Sequence, residues 1–184
     1  MSPGAPNSFE HRIVTGMAEM AVTANRAAIL VTYSLGSCVG VSLYDPVAHV
    51  GGLIHFMLPD SSIAVDKARL QPAMFVDTGL PRLFEAVGQR GLEKRRAVVC
   101  VAGGAQILDD QGYFNIGRRN IEAVMQVLDE HGLTVAAQEL GGMVNRTMYL
   151  RLATGEVRLK VSGQSTEAVL WRPLSTVWTA TSTG

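Results

Sequence analysis

Cys38 and His55 are the residues of this chain whose types and setting point most directly to covalent chemistry. Cys38 sits in the run Leu35-Gly36-Ser37-Cys38-Val39-Gly40, and His55 in Gly51-Gly52-Leu53-Ile54-His55-Phe56-Met57-Leu58-Pro59. An ordinary thiol, with a pKa of about 8.5, is mostly protonated at neutral pH. An imidazole within hydrogen-bond reach can take that proton and later return it to a departing amine. Such a pair attacks amide or thioester carbonyls. The small Gly36 and Ser37 leave room for a carbonyl to approach, and the amide N–H of Cys38 or a neighbour could stabilise the oxyanion. Thr32, on the strand entering the turn, has a hydroxyl that could orient the ring as a third member. By residue type alone, Thr32 is more simply a β-former, Cys38 a thiol in a tight turn and His55 a strand histidine. The pairing of thiol and imidazole, each flanked by glycine, is what suggests a site.

The elements that must position them can be read from periodicity. Ala28 to Tyr33 is a β-branched, apolar run expected to form a buried strand. Val39, Val41 and Leu43 alternate with small residues at the period of a second strand, and Asp45-Pro46 supplies turn chemistry. Val50 to Leu58 is the returning strand, so the hairpin brings His55 back to the end of the sheet where Cys38 lies. Gly16 to Thr23 is a further candidate strand, closed by a turn over Ala24-Asn25-Arg26. Helical spacing is expected over Ala73 to Gln89, with Pro81 kinking or dividing it, and over Asn120 to His131, stopped by Gly132. Ala97 to Ala102 reads as a central strand with Cys100 as a small buried hydrophobe. Leu133 to Leu140, Thr147 to Leu152 and Glu156 to Val161 complete the strands, the last two as a hairpin around Thr154-Gly155. The class is α+β or a layered α/β sandwich, a mostly antiparallel or mixed sheet with flanking helices.

Composition narrows the function. The 184 residues suffice for one well-buried domain. Hydrophobic residues make up 47% and charged residues 17%, the profile of a compact globular protein. Lysine plus arginine equals aspartate plus glutamate, 16 each, which gives no support for a nucleic-acid or membrane-surface partner. No apolar run approaches the ~20 residues that span a bilayer, and the first residues lack the apolar core of a signal peptide. The expectation is a cytoplasmic protein whose two cysteines are free thiols. The four histidines are scattered, and neither CxxC nor HExxH occurs, so no metal site is expected. His49, close to the hairpin turn, is expected to be solvated. Gly103-Gly104 after a strand is only a weak phosphate-binding signal, since no GxxxxGK[ST] follows.

The blocks around the thiol and the imidazole are recognisable together. Thr32-Tyr33-Ser34-Leu35-Gly36-Ser37-Cys38-Val39-Gly40-Val41, then Leu43-Tyr44-Asp45-Pro46, then Gly52 to Pro59 closely resemble the CheD family of chemoreceptor glutamine deamidases. The likeness continues through Asp77-Thr78, Gly103-Gly104-Ala105, Ile116-Gly117-Arg118-Arg119-Asn120 and Gly141-Gly142 to Arg146, over about residues 14–162 in the same order. The resemblance implies hydrolysis of glutamine side chains on methyl-accepting chemotaxis receptors to glutamate and ammonia. It implies Cys38 as nucleophile, His55 as general base and Thr32 as third catalytic position, which displaces the plain β-former reading of Thr32. It implies no metal or organic cofactor, and a fold similar to the catalytic domain of cytotoxic necrotizing factor toxins. Some members of the family also bind CheC, a phosphatase of a chemotaxis response regulator. Two positions depart from the family pattern: Ser34 and Asn145 stand where glycine is common.

Three segments are expected: a loose leader over residues 1–12, a deamidase-like domain over 13–162, and an extension over 163–184 that is either mobile or a docking segment. A different class of function, an interaction module that binds CheC or receptor helices with deamidation secondary or absent, would not require Thr32, Cys38 and His55 all to be present.

Overall fold

The computed structural model describes residues 11–106 and 115–174. The strands run β1 His11–Val14, β2 Met20–Thr23, β3 Ala28–Leu35, β4 Val39–Asp45, β5 Val50–Phe56, β6 Val98–Gly103, β7 Val135–Leu140, β8 Arg146–Arg151, β9 Val157–Val161 and β10 Ala168–Trp171. The α-helices are α1 Val65–Leu70, α2 Val76–Gly88 and α3 Ile116–Glu130. Among the described residues the strands form two five-stranded sheets, ordered β1-β3-β8-β9-β10 and β2-β5-β4-β6-β7. We call them sheet A and sheet B. Both are mixed: β1 runs parallel to β3 and β7 parallel to β6, and the other pairs are antiparallel.

Alternation along β4 and β5 explains the layers. Val39, Val41 and Leu43 face one way with Ile54 and Phe56, and pack under Val76, Leu80, Leu83 and Val87 of α2 and Val124 and Leu128 of α3. Burying each such side chain contributes about 1.5–3 kcal/mol. The opposite face of sheet B presents Tyr44, Leu53, Cys100 and Ala102, which pack on Leu30, Leu35, Met148, Leu150 and Leu159 of sheet A. The result is a layered α/β sandwich: helices, sheet B, sheet A. The small residues that alternate with the valines of β4 are those on the face toward sheet A, where a second sheet must approach. Cys100 is fully buried, and burial pushes its thiol up to about 12.

Far from Cys38, the hairpin is closed by Asp45. Its carboxylate accepts from the amides of Val47 and Ala48 at 2.8 and 3.1 Å, from Glu93 N–H at 2.9 Å and from Arg96 Nη2 at 2.8 Å. Burial alone would raise this carboxyl, but Arg96 and the three amides hold it well below the usual range. His49 does not stand free in solvent as expected. It is half-buried, with Nδ1 3.0 Å from the Tyr44 hydroxyl.

Several boundaries differ from the expectations. His11 and Arg12 belong to β1 rather than to a leader, and Gly16 to Glu19 forms a turn in which the Glu19 carboxylate accepts from Gly16 N–H at 2.9 Å. Helix α2 begins at Val76, because Pro72–Met74 is a short 3-10 turn and Phe75 is extended. Pro81, in the interior of α2, neither divides nor ends it; it removes one intrahelical bond, while the apolar stripe keeps packing on sheet B. Helix α3 begins four residues before Asn120. Beyond Ser162, Ala168–Trp171 pairs antiparallel with β9 as the edge of sheet A, where Leu170 and Trp171 reach the inter-sheet core. Residues 1–10 and 175–184, including Trp178, lie outside the described residues. Among the described residues no helix is long and apolar enough to cross a membrane.

Candidate active site

Strands β3 and β4 belong to different sheets, so Gly36-Ser37-Cys38 is the crossing between them. The crossing begins in a bulge. The register of β3 on β8 shifts between Thr32 and Leu35, and Ser34 there is left-handed at φ +59°. Glycine adopts that region without the strain that a Cβ brings. Three successive carbonyls of the crossing are then held from one side. Gly36 O accepts from Ala105 N–H at 2.7 Å, Ser37 O from Asn120 Nδ2 at 2.9 Å, and Cys38 O from Gly104 N–H at 2.8 Å. Gly103, at φ +115°, passes so close beneath that a Cβ would overlap the Cys38 carbonyl oxygen. Gly103-Gly104 is thus the floor of the thiol turn, which gives the glycine pair a role without phosphate.

His55 stands opposite Gly40, two residues beyond Cys38. Directly opposed residues share a face and residues two apart return to it, so Cys38 and His55 are diagonal neighbours on the side of sheet B toward sheet A. The strand is held on its other edge as well: His55 N–H donates to Glu19 O and His55 O accepts from Ala18 N–H, both at 3.0 Å. From sheet A, the inward side of β3 brings Thr32 across, with Oγ1 at 2.7 Å from His55 Nδ1. Both residues are fully buried, whereas Cys38 is half-buried. The other ring nitrogen, Nε2, is buried and makes no hydrogen bond among the described residues, to the Cys38 thiol or to any other group.

Electrostatically this is a neutral pair. Burial depresses the His55 imidazole from 6.5 to about 4 and raises the Cys38 thiol, the latter partly offset by the Cys38 amide. Thr32 orients the ring but brings no charge to favour an imidazolium. With the proton on Nδ1 donated to Thr32 Oγ1, Nε2 keeps the lone pair, on the face shared with the thiol. The arrangement can deprotonate a thiol at the moment it attacks, without maintaining a resting ion pair; apo geometries of this kind are often loose and tighten with substrate.

Asn120 was not singled out by sequence reasoning. It is fully buried, and its Nδ2 donates both to Ser37 O and, at 3.0 Å, to Met57 O, two residues beyond His55. A signal was present: Gly117, Asn120, Val124, Val127 and Leu128 form the buried stripe of α3, and a polar residue on such a stripe needs a partner. Reading Asn120 as the first residue of the helix hid it. A groove of about 480 Å³ on the outer side of sheet A, lined by Tyr33, Ser34, Arg146 and Lys160 among others, contains neither Cys38 nor His55.

A layered α/β sandwich with a cysteine on the crossing between its sheets, diagonal to a strand histidine paired with threonine, defines the class of this protein. Residues 57–161 match the family model described as CheD chemotactic sensory transduction. The chain is also 45% identical over 151 residues to a protein of Syntrophus aciditrophicus named "Probable chemoreceptor glutamine deamidase CheD 1", covering 82% of this chain and 94% of that one. It is 42% identical over 158 residues to the "Probable chemoreceptor glutamine deamidase CheD" of Solibacter usitatus, covering 86% and 94%. A protein of the same name from Thermococcus kodakarensis is 40% identical over 161 residues, covering 85% and 98%. The chain belongs to the CheD family. The family-model match begins at Met57, after Thr32, Cys38 and His55, so the case for those three rests on the geometry and on the blocks around them.

Proposed function

We propose that this protein is a protein-glutamine deamidase that converts glutamine side chains of methyl-accepting chemotaxis receptors to glutamate, with Cys38, His55 and Thr32 as its catalytic residues. The activity and substrate class follow the names carried by its relatives. The observation that carries the site is the 2.7 Å contact between Thr32 Oγ1 and His55 Nδ1, made on the face His55 shares with Cys38. In the first half-reaction His55 Nε2 takes the thiol proton as sulfur attacks the carboxamide carbon. The tetrahedral intermediate collapses, the C–N bond breaks and the proton leaves on ammonia. In the second, His55 removes a proton from water as it attacks the thioester, and the glutamate carboxylate departs as the thiol is restored. One water is consumed per glutamine.

The reaction belongs in the cytoplasm, where the two free thiols stay reduced. A CheC-type phosphatase as a second partner is proposed on the resemblance alone, and co-elution with purified CheC tests it. For the catalytic reading, purified protein is incubated with a receptor cytoplasmic fragment, and peptide mass spectrometry follows conversion of amide to acid at individual glutamines. Wild type converts them and Cys38→Ala does not. Equal conversion by the two would remove Cys38 from the mechanism.

A further inference from the structure

Asn120 ties the two halves of the site together through one side chain. Its Nδ2 donates to Ser37 O at 2.9 Å, one residue before the thiol, and to Met57 O at 3.0 Å, where the strand carrying the imidazole ends. A trans peptide is planar, with its C=O and N–H pointing in opposite directions. Holding Ser37 C=O toward α3 therefore turns the Cys38 N–H away from α3. The Gly36 carbonyl, held by Ala105, does the same for the Ser37 N–H. Neither N–H has a backbone acceptor among the described residues. Helix α3 is seated to do this: Gly117 lies so close to Gly104 and Ala105 that a Cβ would press on their carbonyl oxygens.

Resting on the deamidase reading above, we propose that Asn120 is a positioning residue that aims the Cys38 N–H at the oxyanion formed when the thiol attacks glutamine. Its own chemistry supports a role beyond filling. Asn120 Oδ1 is buried without a hydrogen-bond partner among the described residues, a cost that an apolar residue on the same helix stripe would not carry. What offsets that cost is the pair of bonds its two N–H groups make to Ser37 O and Met57 O.

The test compares wild type, Asn120→Ala, the isosteric Asn120→Asp and Cys38→Ala on a receptor cytoplasmic fragment. It measures kcat, KM, the thermal midpoint and the rate of Cys38 alkylation by iodoacetamide. Alkylation is a displacement at carbon that forms no oxyanion, so it reports the thiol without the proposed donor. Loss of one oxyanion donor costs about a hundredfold or more in kcat. The expected result is a fall of that order in both Asn120 variants, with KM and alkylation rate each changed less than about twofold. Unchanged kcat in either variant overturns the inference. So does a kcat loss matched by slower alkylation or by failure to fold, which would make Asn120 a structural residue only. Activity persisting in Cys38→Ala would sink the deamidase site itself, whereas activity lost there but kept in both Asn120 variants sinks this inference alone.

Discussion

Thr32 Oγ1 and His55 Nδ1 meet at 2.7 Å although they stand on different sheets, and the bond they form is fully buried. It engages Nδ1 and leaves Nε2 without a hydrogen bond among the described residues. Replacing Thr32 by valine keeps the shape and removes the bond, freeing the ring to rotate. A buried hydrogen bond of this kind is worth about 1–3 kcal/mol, so kcat is expected to fall about tenfold to a hundredfold in Thr32→Val with little change in KM. Thr32→Ser, which keeps the hydroxyl, restores most of the rate. Steady-state deamidation kinetics check this, and equal rates for the valine and serine variants would remove Thr32 from the site.

The buried imidazole makes a prediction about pH. Its folded pKa, about 4, lies below the ordinary 6.5, so the base is already neutral in mildly acidic solution. The acid limb of kcat/KM is therefore expected near pH 4, and a limb near 6.5 would contradict the burial of the imidazole. Stability follows with a definite sign. The unfolded chain binds the extra proton first, so the contribution of His55 is complete above pH 6.5 and is lost as pH falls through about 4. The size is about 3 kcal/mol. Urea unfolding of wild type and His55→Gln at pH 7, 5.5 and 4 isolates it, because the Asp45 carboxyl is held below this window.

The two thiols should separate cleanly. Cys38 is half-buried at the mouth of the inter-sheet layer, whereas Cys100 is fully buried with its thiol pushed up to about 12. In the native state iodoacetamide is expected to modify Cys38 alone, and Cys100 only after unfolding. Peptide mass mapping reads the outcome; native labelling of Cys100 at a comparable rate would mean that the core between the sheets opens readily.

Ser34 holds a left-handed conformation, φ +59°, at the bulge before the thiol turn. A non-glycine residue there costs about 1–2 kcal/mol, and glycine returns part of that as entropy in the unfolded chain. Ser34→Gly is expected to stabilise the protein by about 0.5–1 kcal/mol and to raise its melting temperature by about 1–4 °C. Calorimetry decides it, and a lower melting temperature would show that the serine side chain matters more than its backbone.

Short-range pattern made much of this protein legible. The period-two alternation of β4, the Asp45-Pro46 turn and the return through β5 brought Cys38 and His55 to the same end of the sheet, and the register that pairs His55 with Gly40 put them on one face. The apolar run around Cys100 likewise declared its own burial. What the sequence left open was which sheet each strand joins. Alternation says that a strand has two faces but not what lies across from them, so the crossing at Cys38 and the placing of Thr32 over His55 belong to the tertiary structure. The same holds for Asn120, whose helix periodicity marked a buried position while its partner Ser37 lies 83 residues away along the chain. Edge strand β10 is a further case, since Leu170 and Trp171 have a reason to be ordered only once β9 offers an edge and the inter-sheet core a surface to cover. Residue types and local spacing selected the reactive groups. Pairing between distant segments, which no local periodicity encodes, decided which of them touch.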